Sequence, residues 1–392
     1  MKQFVFHVAG LPHLAVSKSN NFCAYTMKAY NFCRMMKMLG HRVLFYGPEM
    51  LDDEKLDDGV CDEYITTLTA AERQELLGPY THRSDWMMKL DCNGQTALWR
   101  LSNAKAAAAM TARRVPGHDF ICITYGYCQL DLKNAFAAND FVVEIGIGYG
   151  GTIADFRVFE SYSHMHQIYG ASQGFEPSGR WYDVVIPNYF DPADFGYHAA
   201  PEADLLYLGR MIQRKGLEVV AAVGKATGRH IKLAGPGAKK IPGGAVTTDG
   251  FTFAGEFEYV GVANVETRRQ LLQNATALIC PTQYVEPFGG VAVEAQLCGT
   301  PVITVDWGAF TETVEHGVTG YRCRTLDHFV NAVRMVADLD RADIYRRAVA
   351  RWGLQRVMWQ YQEYFTMLDD LREELGWGKI GRRHDLDWLR KE

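Results

Sequence analysis

The chain lacks the features of membrane-embedded and secreted proteins. Its 392 residues contain no apolar run of about 18 residues, so no segment is predicted to cross a membrane. The N-terminus shows no secretory signal pattern, because Lys2 is followed by a short strand-like run and not by a long apolar region. We therefore expect a cytoplasmic protein.

The chain also lacks recognisable metal-ligand spacing and internal repeats. Its nine cysteines are scattered and odd in number, which predicts reduced thiols and neither a disulfide framework nor a metal centre. The formal net charge of -5 excludes a global electrostatic attraction to nucleic acid, although it does not exclude a local basic patch. What remains is an ordinary globular composition, with 48% hydrophobic and 22% charged residues.

The length predicts two domains, because 392 residues exceed the usual size of a single core. Short apolar runs alternate with amphipathic stretches in both halves, which predicts two Rossmann-like, doubly wound α/β domains facing a central cleft. The limits are predicted at 1–190 for an acceptor-side domain, 200–350 for a ligand-binding domain and 351–392 for helices that pack back towards the first domain. A long helix is predicted over 347–375.

Residues 285–301 read VEPFGGVAVEAQLCGTP and are the most informative part of the chain. A buried strand precedes them, and the turn at Pro287-Phe288-Gly289-Gly290 leads into a helix, which predicts an anion site at the helix N-terminus. The carboxylates of Glu286 and Glu294 would repel a phosphate bound alone. Their presence makes sense if a neutral, hydroxyl-rich group lies beside the phosphate. Phosphate, sugar hydroxyls and ribose together indicate a nucleotide sugar.

A basic octamer, Gly209-Arg210-Met211-Ile212-Gln213-Arg214-Lys215-Gly216, follows the first predicted strand of the second half. A diphosphate leaving group gains negative charge as a sugar bond breaks, and fixed cations stabilise that transition state. Arg210 can form a two-pronged contact with phosphate, and Lys215 can supply a point charge.

Residues 185–325, which contain both motifs, resemble the GT-B-fold glycosyltransferases, and in particular the retaining enzymes of family 4. The matching motifs are Gly209-Arg210, Lys215-Gly216, Gly235-Pro236-Gly237, Glu286-Pro287-Phe288-Gly289, Glu294-Ala295, Gly299-Thr300-Pro301-Val302, Glu312, Gly317 and Gly320.

The resemblance implies a role for each matched position. Arg210, Lys215 and Glu286 would form the catalytic group, with the two cations on the donor diphosphate and Glu286 on the donor sugar. Glu294 would hold the ribose hydroxyls. The implied donor-binding set is Gly209, Gly235, Pro287, Phe288, Gly289, Gly290, Val291 and Glu294. No cofactor is implied beyond the nucleotide sugar itself, which would be UDP- or GDP-linked.

The N-terminal half matches the family less well. The family often has a glycine-rich loop after the first strand and histidines after a later one, whereas this chain offers a single glycine, Gly10, and no histidine in 119–124. The candidate acceptor-side residues are Gly10, His13, Gly148, Tyr149 and His164.

A competing motif lies at Gly146-Ile147-Gly148-Tyr149-Gly150-Gly151, which satisfies G-x-G-x-x-G and by itself would indicate a dinucleotide enzyme. Its strand comes late in its half, and no strand ending in an acidic residue follows at the expected distance. We therefore interpret it as a close-packed loop, followed by a predicted helix that carries Arg157, Glu160 and Ser161.

Taken together, the motifs predict a transferase that moves a hexose-like sugar to a hydroxyl of a glycan, a lipid, a small molecule or modified DNA, and the resemblance implies that the transfer is retaining. No Asp-x-Asp element lies at a predicted catalytic strand end, which favours metal-independent transfer. A nucleotide-sugar epimerase of the same fold and a binding module without turnover stay open. So does a DNA-base acceptor, which the C-terminal basic residues Lys379, Arg382, Arg383, Arg390 and Lys391 would permit.

Overall fold

The computed structural model describes residues 2–20, 23–52, 54–79, 86, 89, 91–137, 140–173 and 177–372. The chain divides into two compact units. Unit 1 takes the described residues of Met1–Glu160, Met165–Tyr189 and Leu354–Glu392, and unit 2 takes Ser161–His164 and Phe190–Gly353. The domain limits of 1–190, 200–350 and 351–392 stay a prediction.

Unit 1 is built on a parallel sheet of seven strands in the order β3-β2-β1-β4-β5-β6-β7. The strands are β1 Val5–Ala9, β2 Arg42–Pro48, β3 Glu63–Leu68, β4 Phe120–Ile123, β5 Phe141–Ile147, β6 Phe156–Phe159 and β7 Asp183–Val185. The described helices of this part of the chain are α1 Ala24–Met38, α2 Ala70–Leu77, α3 Ala97–Thr111, α4 Leu130–Asn134 and α5 Tyr162–Gln173. Strands β4 and β5 are buried at every residue, as expected for parallel strands covered on both faces.

Unit 2 contains a six-stranded parallel sheet in the order β13-β9-β8-β14-β15-β16 and a separate antiparallel sheet of β10-β11-β12. The strands are β8 Leu205–Leu208, β9 Ile231–Ala234, β10 Ala238–Ile241, β11 Gly244–Thr247, β12 Thr252–Ala254, β13 Phe257–Gly261, β14 Ala277–Cys280, β15 Val302–Val305 and β16 Gly320–Cys323. The helices are α6 Leu217–Thr227, α7 Val265–Asn274, α8 Gly290–Gln296, α9 Phe310–Thr313, α10 Leu326–Met335 and α11 Arg341–Trp352. The chain then returns to unit 1 through α12 Leu354–Arg372.

Alternation along the strands of unit 1 produces two apolar layers, one on each face of the sheet. Phe6 and Val8 of β1 pack with residues of α1 and α12, whereas Ala9 packs on the other face with residues of α3 and α4. The Phe6 and Phe365 rings, whose centroids are 4.6 Å apart, join α12 to the first layer. The final helix therefore packs on the N-terminal unit, as the sequence predicted.

Two predictions about local structure were wrong. The segment after the G-x-G-x-x-G motif is the strand β6 and not a helix, so Arg157 lies on a strand, and Glu160 and Ser161 lie between that strand and α5. The helix predicted over 347–375 is interrupted at Gly353, which is extended with φ -64° and ψ 143°. There the N–H of Phe190 donates to the carbonyl of Trp352 at 2.8 Å, so a distant segment takes the place of the next helical turn.

Candidate functional site

The two motifs that the sequence singled out in the second half lie on adjacent strands. Strands β8 and β14 pair in parallel, with Leu206 opposite Leu278, and they stand where the strand order of the sheet reverses. Doubly wound sheets bind ligands at the carboxyl ends of the strands at such a switch point. The loop 209–216 follows β8 and the loop 281–289 follows β14, so both emerge at this position.

A glycine brings the two loops into direct contact. Gly216 has φ +81°, and a Cβ atom placed on it would lie 2.0 Å from the carbonyl oxygen of Pro281. Only glycine allows this approach, because the backbone is left-handed and no space remains for a side chain. The N–H of Gln283 also donates to the carbonyl of Arg214 at 3.0 Å, which fixes one loop against the other.

The central charged contact of the site joins Lys215 and Glu286. The Nζ atom of Lys215 donates to Oε2 of Glu286 at 2.6 Å, and the side chains are 18% and 14% exposed. Burial acts to lower the pKa of Lys215, but Glu286, Tyr284 and Cys280 together outweigh it and hold that pKa above its ordinary value. Lys215 therefore keeps its positive charge at neutral pH, and 70 intervening residues separate it from Glu286 in the sequence.

An aromatic ring lies against the cations of the β8 loop. The ring centre of Tyr284 is 4.6 Å from the guanidinium carbon of Arg214 and 4.8 Å from Nζ of Lys215. Burial and then the negative charge of Glu286 raise the pKa of the Tyr284 hydroxyl. The hydroxyl therefore stays protonated at neutral pH and keeps a proton to donate.

Glu294 is the second carboxylate of the motif, and its partner comes from a neighbouring helix. The Nε atom of Arg268, on α7, donates to Oε2 of Glu294 at 2.7 Å, and Nη2 of the same guanidinium donates to the same oxygen. The side chain of Arg268 is 28% exposed and that of Glu294 is 15% exposed. The pair therefore lies at the rim of the core and not within it.

The turn between the two glutamates is held mainly through its backbone. Gly289 has φ +78°, and a Cβ atom there would lie 2.6 Å from the Phe310 ring. The carbonyl of Glu286 accepts from the N–H of Ala309 at 3.0 Å, and the Phe288 side chain is buried in a cluster with Trp352. Helix α8 then starts at Gly290 and continues through Val291 for seven residues in all. Phe288 is thus a packing residue whose side chain is directed away from solvent.

Gly209 and Gly235 sit together where β8 and β9 end. Gly235 has φ +140°, and a Cβ atom on it would lie 1.9 Å from the carbonyl oxygen of Gly209. The next residue, Arg210, has an exposed side chain, and its carbonyl accepts a hydrogen bond from the Tyr207 hydroxyl at 2.7 Å. Of the three predicted catalytic residues, the structure brings Lys215 and Glu286 into contact and leaves Arg210 open to solvent on the same loop.

The segment Ser161–His164 is hydrogen-bonded to residues of unit 2 in and near the 281–289 loop. The Ser161 hydroxyl donates to the carbonyl of Pro287 at 2.6 Å and accepts from the N–H of His164 at 3.0 Å. The Glu312 carboxylate accepts from the N–H groups of Tyr162 and Ser163 at 3.0 and 2.8 Å. His164, predicted as an acceptor-side residue, therefore lies close to Pro287 of the 281–289 loop.

The other candidate acceptor-side residues belong to unit 1, where they are tightly packed. A Cβ atom on Gly10 would lie 2.5 Å from the Phe45 ring, and one on Gly148 would lie 2.6 Å from the Glu160 carboxylate. The Tyr149 hydroxyl donates to Glu144 at 2.8 Å. His13 is fully buried, and burial together with the Arg73 guanidinium lowers its pKa to about 3, so its imidazole is neutral. Their acceptor role stays a prediction.

Comparison with known proteins shows what this region is similar to. Residues 202–338, which contain the two loops and Arg268, match the family described as glycosyl transferases group 1. The glycogen synthase of Mycobacterium tuberculosis (strain ATCC 25618 / H37Rv) is 33% identical over 182 residues, an alignment that covers 43% of this chain and 42% of that protein, so the chain spans less than half the length of this relative. An uncharacterised glycosyltransferase of Methanocaldococcus jannaschii is 27% identical over 195 residues, which cover 46% and 43%.

Solved structures extend the likeness to nearly the whole chain. AviGT4, a glycosyltransferase involved in avilamycin A biosynthesis, aligns with a TM-score of 0.65 at 17% identity, covering 93% of this chain and 98% of its own. Sucrose-phosphate synthase from Thermosynechococcus elongatus aligns with a TM-score of 0.64 at 17% identity, covering 94% and 100%. The Anabaena protein HepE in complex with UDP-glucose aligns with a TM-score of 0.65 at 14% identity, covering 93% and 100%. The predicted GT-B fold is confirmed.

Within residues 202–338, the sequence did not point to Tyr284 and Arg268 as candidate site residues. Tyr284 lies two residues before Glu286, so its place beside the motif was a signal that could have drawn attention to it. Arg268 carried no such signal, because it lies 26 residues before Glu294 on a helix with a largely polar surface. Among the residues that the structure describes, no three His, Cys, Asp or Glu side chains form a group that could hold a metal ion.

Proposed function

We propose that the chain is a retaining, metal-independent glycosyltransferase that moves a hexose-like sugar from a UDP- or GDP-sugar to an acceptor hydroxyl. The observation that carries the proposal is the buried Lys215–Glu286 ion pair beside Tyr284, at the switch point of the unit 2 sheet. A cation for phosphate and a carboxylate for sugar hydroxyls lie 2.6 Å apart there, which matches the two chemical halves of a sugar diphosphate.

The cations of the β8 loop would act on the leaving group. As the sugar–oxygen bond breaks, negative charge accumulates on the diphosphate, and preformed positive charges stabilise that state more than the intact donor. Lys215 is held as an ammonium by Glu286, whereas exposed Arg210 is available for a two-pronged contact with phosphate. Their charges are in place before the reaction, so little reorganisation is needed.

Glu286 would orient the donor sugar. Its Oε2 atom accepts from Lys215, and the carboxylate held in this way would also accept from hydroxyls of the donor sugar. In a front-face transfer with retention, the acceptor hydroxyl attacks the anomeric carbon on the side that the diphosphate leaves. The departing phosphate oxygen takes the acceptor proton, so no separate general base is required.

The relatives and neighbours support a sugar nucleotide as donor and a hydroxyl compound as acceptor. One structural neighbour was solved with UDP-glucose, and others are named as a sucrose-phosphate synthase and a glycosyltransferase of avilamycin biosynthesis. A glycan, lipid, small molecule or modified DNA base is proposed as the acceptor, and no further cofactor is required. The basic residues that would favour DNA lie outside the described part of the chain.

A cytoplasmic location is part of the proposal. All nine cysteines are unpaired, and seven of them are buried, which fits a reducing compartment. No helix among the described residues is long and apolar enough to cross a bilayer.

A donor panel tests the proposal directly. The full chain is incubated with UDP-, GDP- and ADP-sugars, with chelator present, and release of the nucleoside diphosphate is followed with and without candidate acceptors. We expect one donor class to be consumed, and the anomeric configuration, followed by the NMR signal of the anomeric proton, to be the same in donor and product. Isomerised nucleotide sugar with no diphosphate released would instead establish an epimerase, and binding without consumption would establish a module without turnover.

A further inference from the structure

The guanidinium of Arg268 meets the carboxylate of Glu294 in an unsymmetrical way. Both Nε and Nη2 donate to Oε2, with the Nε contact at 2.7 Å. Among the described residues no group donates to Oε1 of Glu294. One carboxylate oxygen is thus fully occupied by protein, and the other retains its lone pairs for a ligand.

Arg268 is well placed to act as a fixed support. It lies in the first turn and a half of α7, whose N-terminus is capped by the Asn264 side chain accepting from the N–H of Thr267 at 2.8 Å. Helix α8 carries Glu294, and the Leu272 side chain of α7 is fully buried in the core of unit 2. The two ends of the ion pair therefore stand on elements that the core holds rigidly.

We infer that Arg268 is a positioning residue, which holds Glu294 so that its free oxygen reads the ribose hydroxyls of the nucleotide donor. The inference rests on the proposed function and deepens it. A glutamate without this support would sample several rotamers and be hydrated at both oxygens, and an unpaired carboxylate would repel the donor diphosphate. The guanidinium removes both effects. The expected consequence is selectivity for ribose over 2′-deoxyribose, since a group placed to accept from a substrate hydroxyl rejects the analogue that lacks it.

The neighbouring Arg269 offers a matched control. Its guanidinium pairs with Glu266 on the same helix, and the two side chains are 38% and 56% exposed. Arg269→Ala thus removes the same side chain one position along α7 without touching the carboxylate of Glu294. A purely structural role for Arg268, such as joining α7 to α8, predicts a lower melting temperature and no change in sugar selectivity.

The experiment measures binding of UDP and 2′-deoxy-UDP to the full chain by calorimetry, or of the GDP pair if the donor panel selects guanine. We expect the wild type and Arg269→Ala to bind the ribonucleotide at least tenfold more tightly than the deoxyribonucleotide. In Arg268→Ala this ratio is expected to fall to about threefold or less. Arg268→Lys keeps one positive charge but loses the two-pronged guanidinium contact. Its preference for the ribonucleotide is therefore expected to lie between those of the wild type and Arg268→Ala.

Each outcome decides one question. If the wild type binds neither nucleotide, the proposed function fails and the inference falls with it. If the wild type discriminates and Arg268→Ala keeps the full ratio, Arg268 has only a structural role and the inference is overturned while the proposed function stands. If Arg268→Ala does not fold, an unchanged ratio in Arg268→Lys overturns the inference, and a reduced ratio supports it.

Discussion

Replacing Lys215 with alanine removes the cation from the ion pair at the centre of the site. The change leaves Glu286 without its 2.6 Å partner, in a position where its side chain is 14% exposed. Because the carboxylate then has neither protein cation nor full hydration, the substitution affects stability as well as activity, and the two effects can be measured separately.

The effect on stability follows from the burial of the pair. Removing one member of a fully buried ion pair costs about 3–5 kcal/mol, and an exposed pair contributes at most about 1 kcal/mol. With side chains 18% and 14% exposed, the pair lies nearer the first case, and we expect Lys215→Ala to lower the free energy of unfolding by about 2–3 kcal/mol. The double variant Lys215→Ala/Glu286→Gln removes both charges, so it is expected to recover part of this loss.

The effect on catalysis follows from the charge that develops on the leaving group. Removing one preorganised group that stabilises such charge typically lowers kcat by about 10²–10³, which is about 2.7–4 kcal/mol. We expect Lys215→Ala to show a loss of this size at saturating donor, with a smaller change in KM, because the contact strengthens in the transition state.

Urea unfolding and steady-state turnover with the donor selected by the panel test these values, and Lys225→Ala, an exposed lysine of α6, serves as the control. The raised folded-state pKa of Lys215 adds a pH signature. The contribution of the pair to stability is fully present below the unfolded lysine pKa of about 10.4 and is lost as the pH rises through the higher folded value. A Lys215→Ala protein with unchanged kcat, or with no energetic coupling to Glu286→Gln, would refute the reasoning.

Three further predictions concern other parts of the fold. Gly216→Ala places an alanine with left-handed backbone angles against the Pro281 carbonyl. We expect it to lower the free energy of unfolding, measured by thermal denaturation, by about 2–4 kcal/mol. Gly228 has φ +62° and open space around it, so Gly228→Ala should lower the free energy of unfolding by only about 1–2 kcal/mol. Equal losses of stability in the Gly216 and Gly228 variants would contradict the steric role of the Pro281 carbonyl. For His13, whose pKa is lowered to about 3, stability is present above the unfolded value and declines as the pH falls from about 6.5 towards 3. The urea midpoint of His13→Gln should therefore change less between pH 7 and 4 than that of the wild type, and parallel curves would count against a neutral buried histidine. We expect Tyr284→Ala to weaken donor affinity about fivefold, because about 1 kcal/mol of cation–π contact is lost. Tyr284→Phe keeps the ring and should therefore keep the donor affinity. Equal affinities in the two variants would show that the ring is not involved.

The strands of the second unit illustrate what local pattern can predict. Strands β8, β14 and β15 each coincide with a short run of buried, mostly apolar residues, at 205–208, 277–280 and 302–305. Parallel strands are buried on both faces, so each appears as a short continuous apolar run between turn residues and amphipathic helices. Such a signal is local and needs no knowledge of partners.

Local pattern failed where a distant segment replaced a nearby one. Strands β10, β11 and β12 pair mainly with each other, and their polar, glycine-containing sequence does not show the alternation that marks a strand. The break at Gly353 depends on Phe190, which supplies the N–H that meets the carbonyl of Trp352. The contact with Phe190 cannot be identified from the residues within one turn of the break.

The sequence by itself determined the fold class and pointed to the basic and the acidic motif, because those depend on residue type and short-range order. Only the tertiary structure decided which groups meet: Lys215 with Glu286, Tyr284 with the cations of the β8 loop, and Arg268 with one oxygen of Glu294. These contacts follow from the order of strands in the sheet and from the packing of helices on it. The strand order is set by the burial of the core as a whole. Residues far apart in the sequence contribute to that burial together.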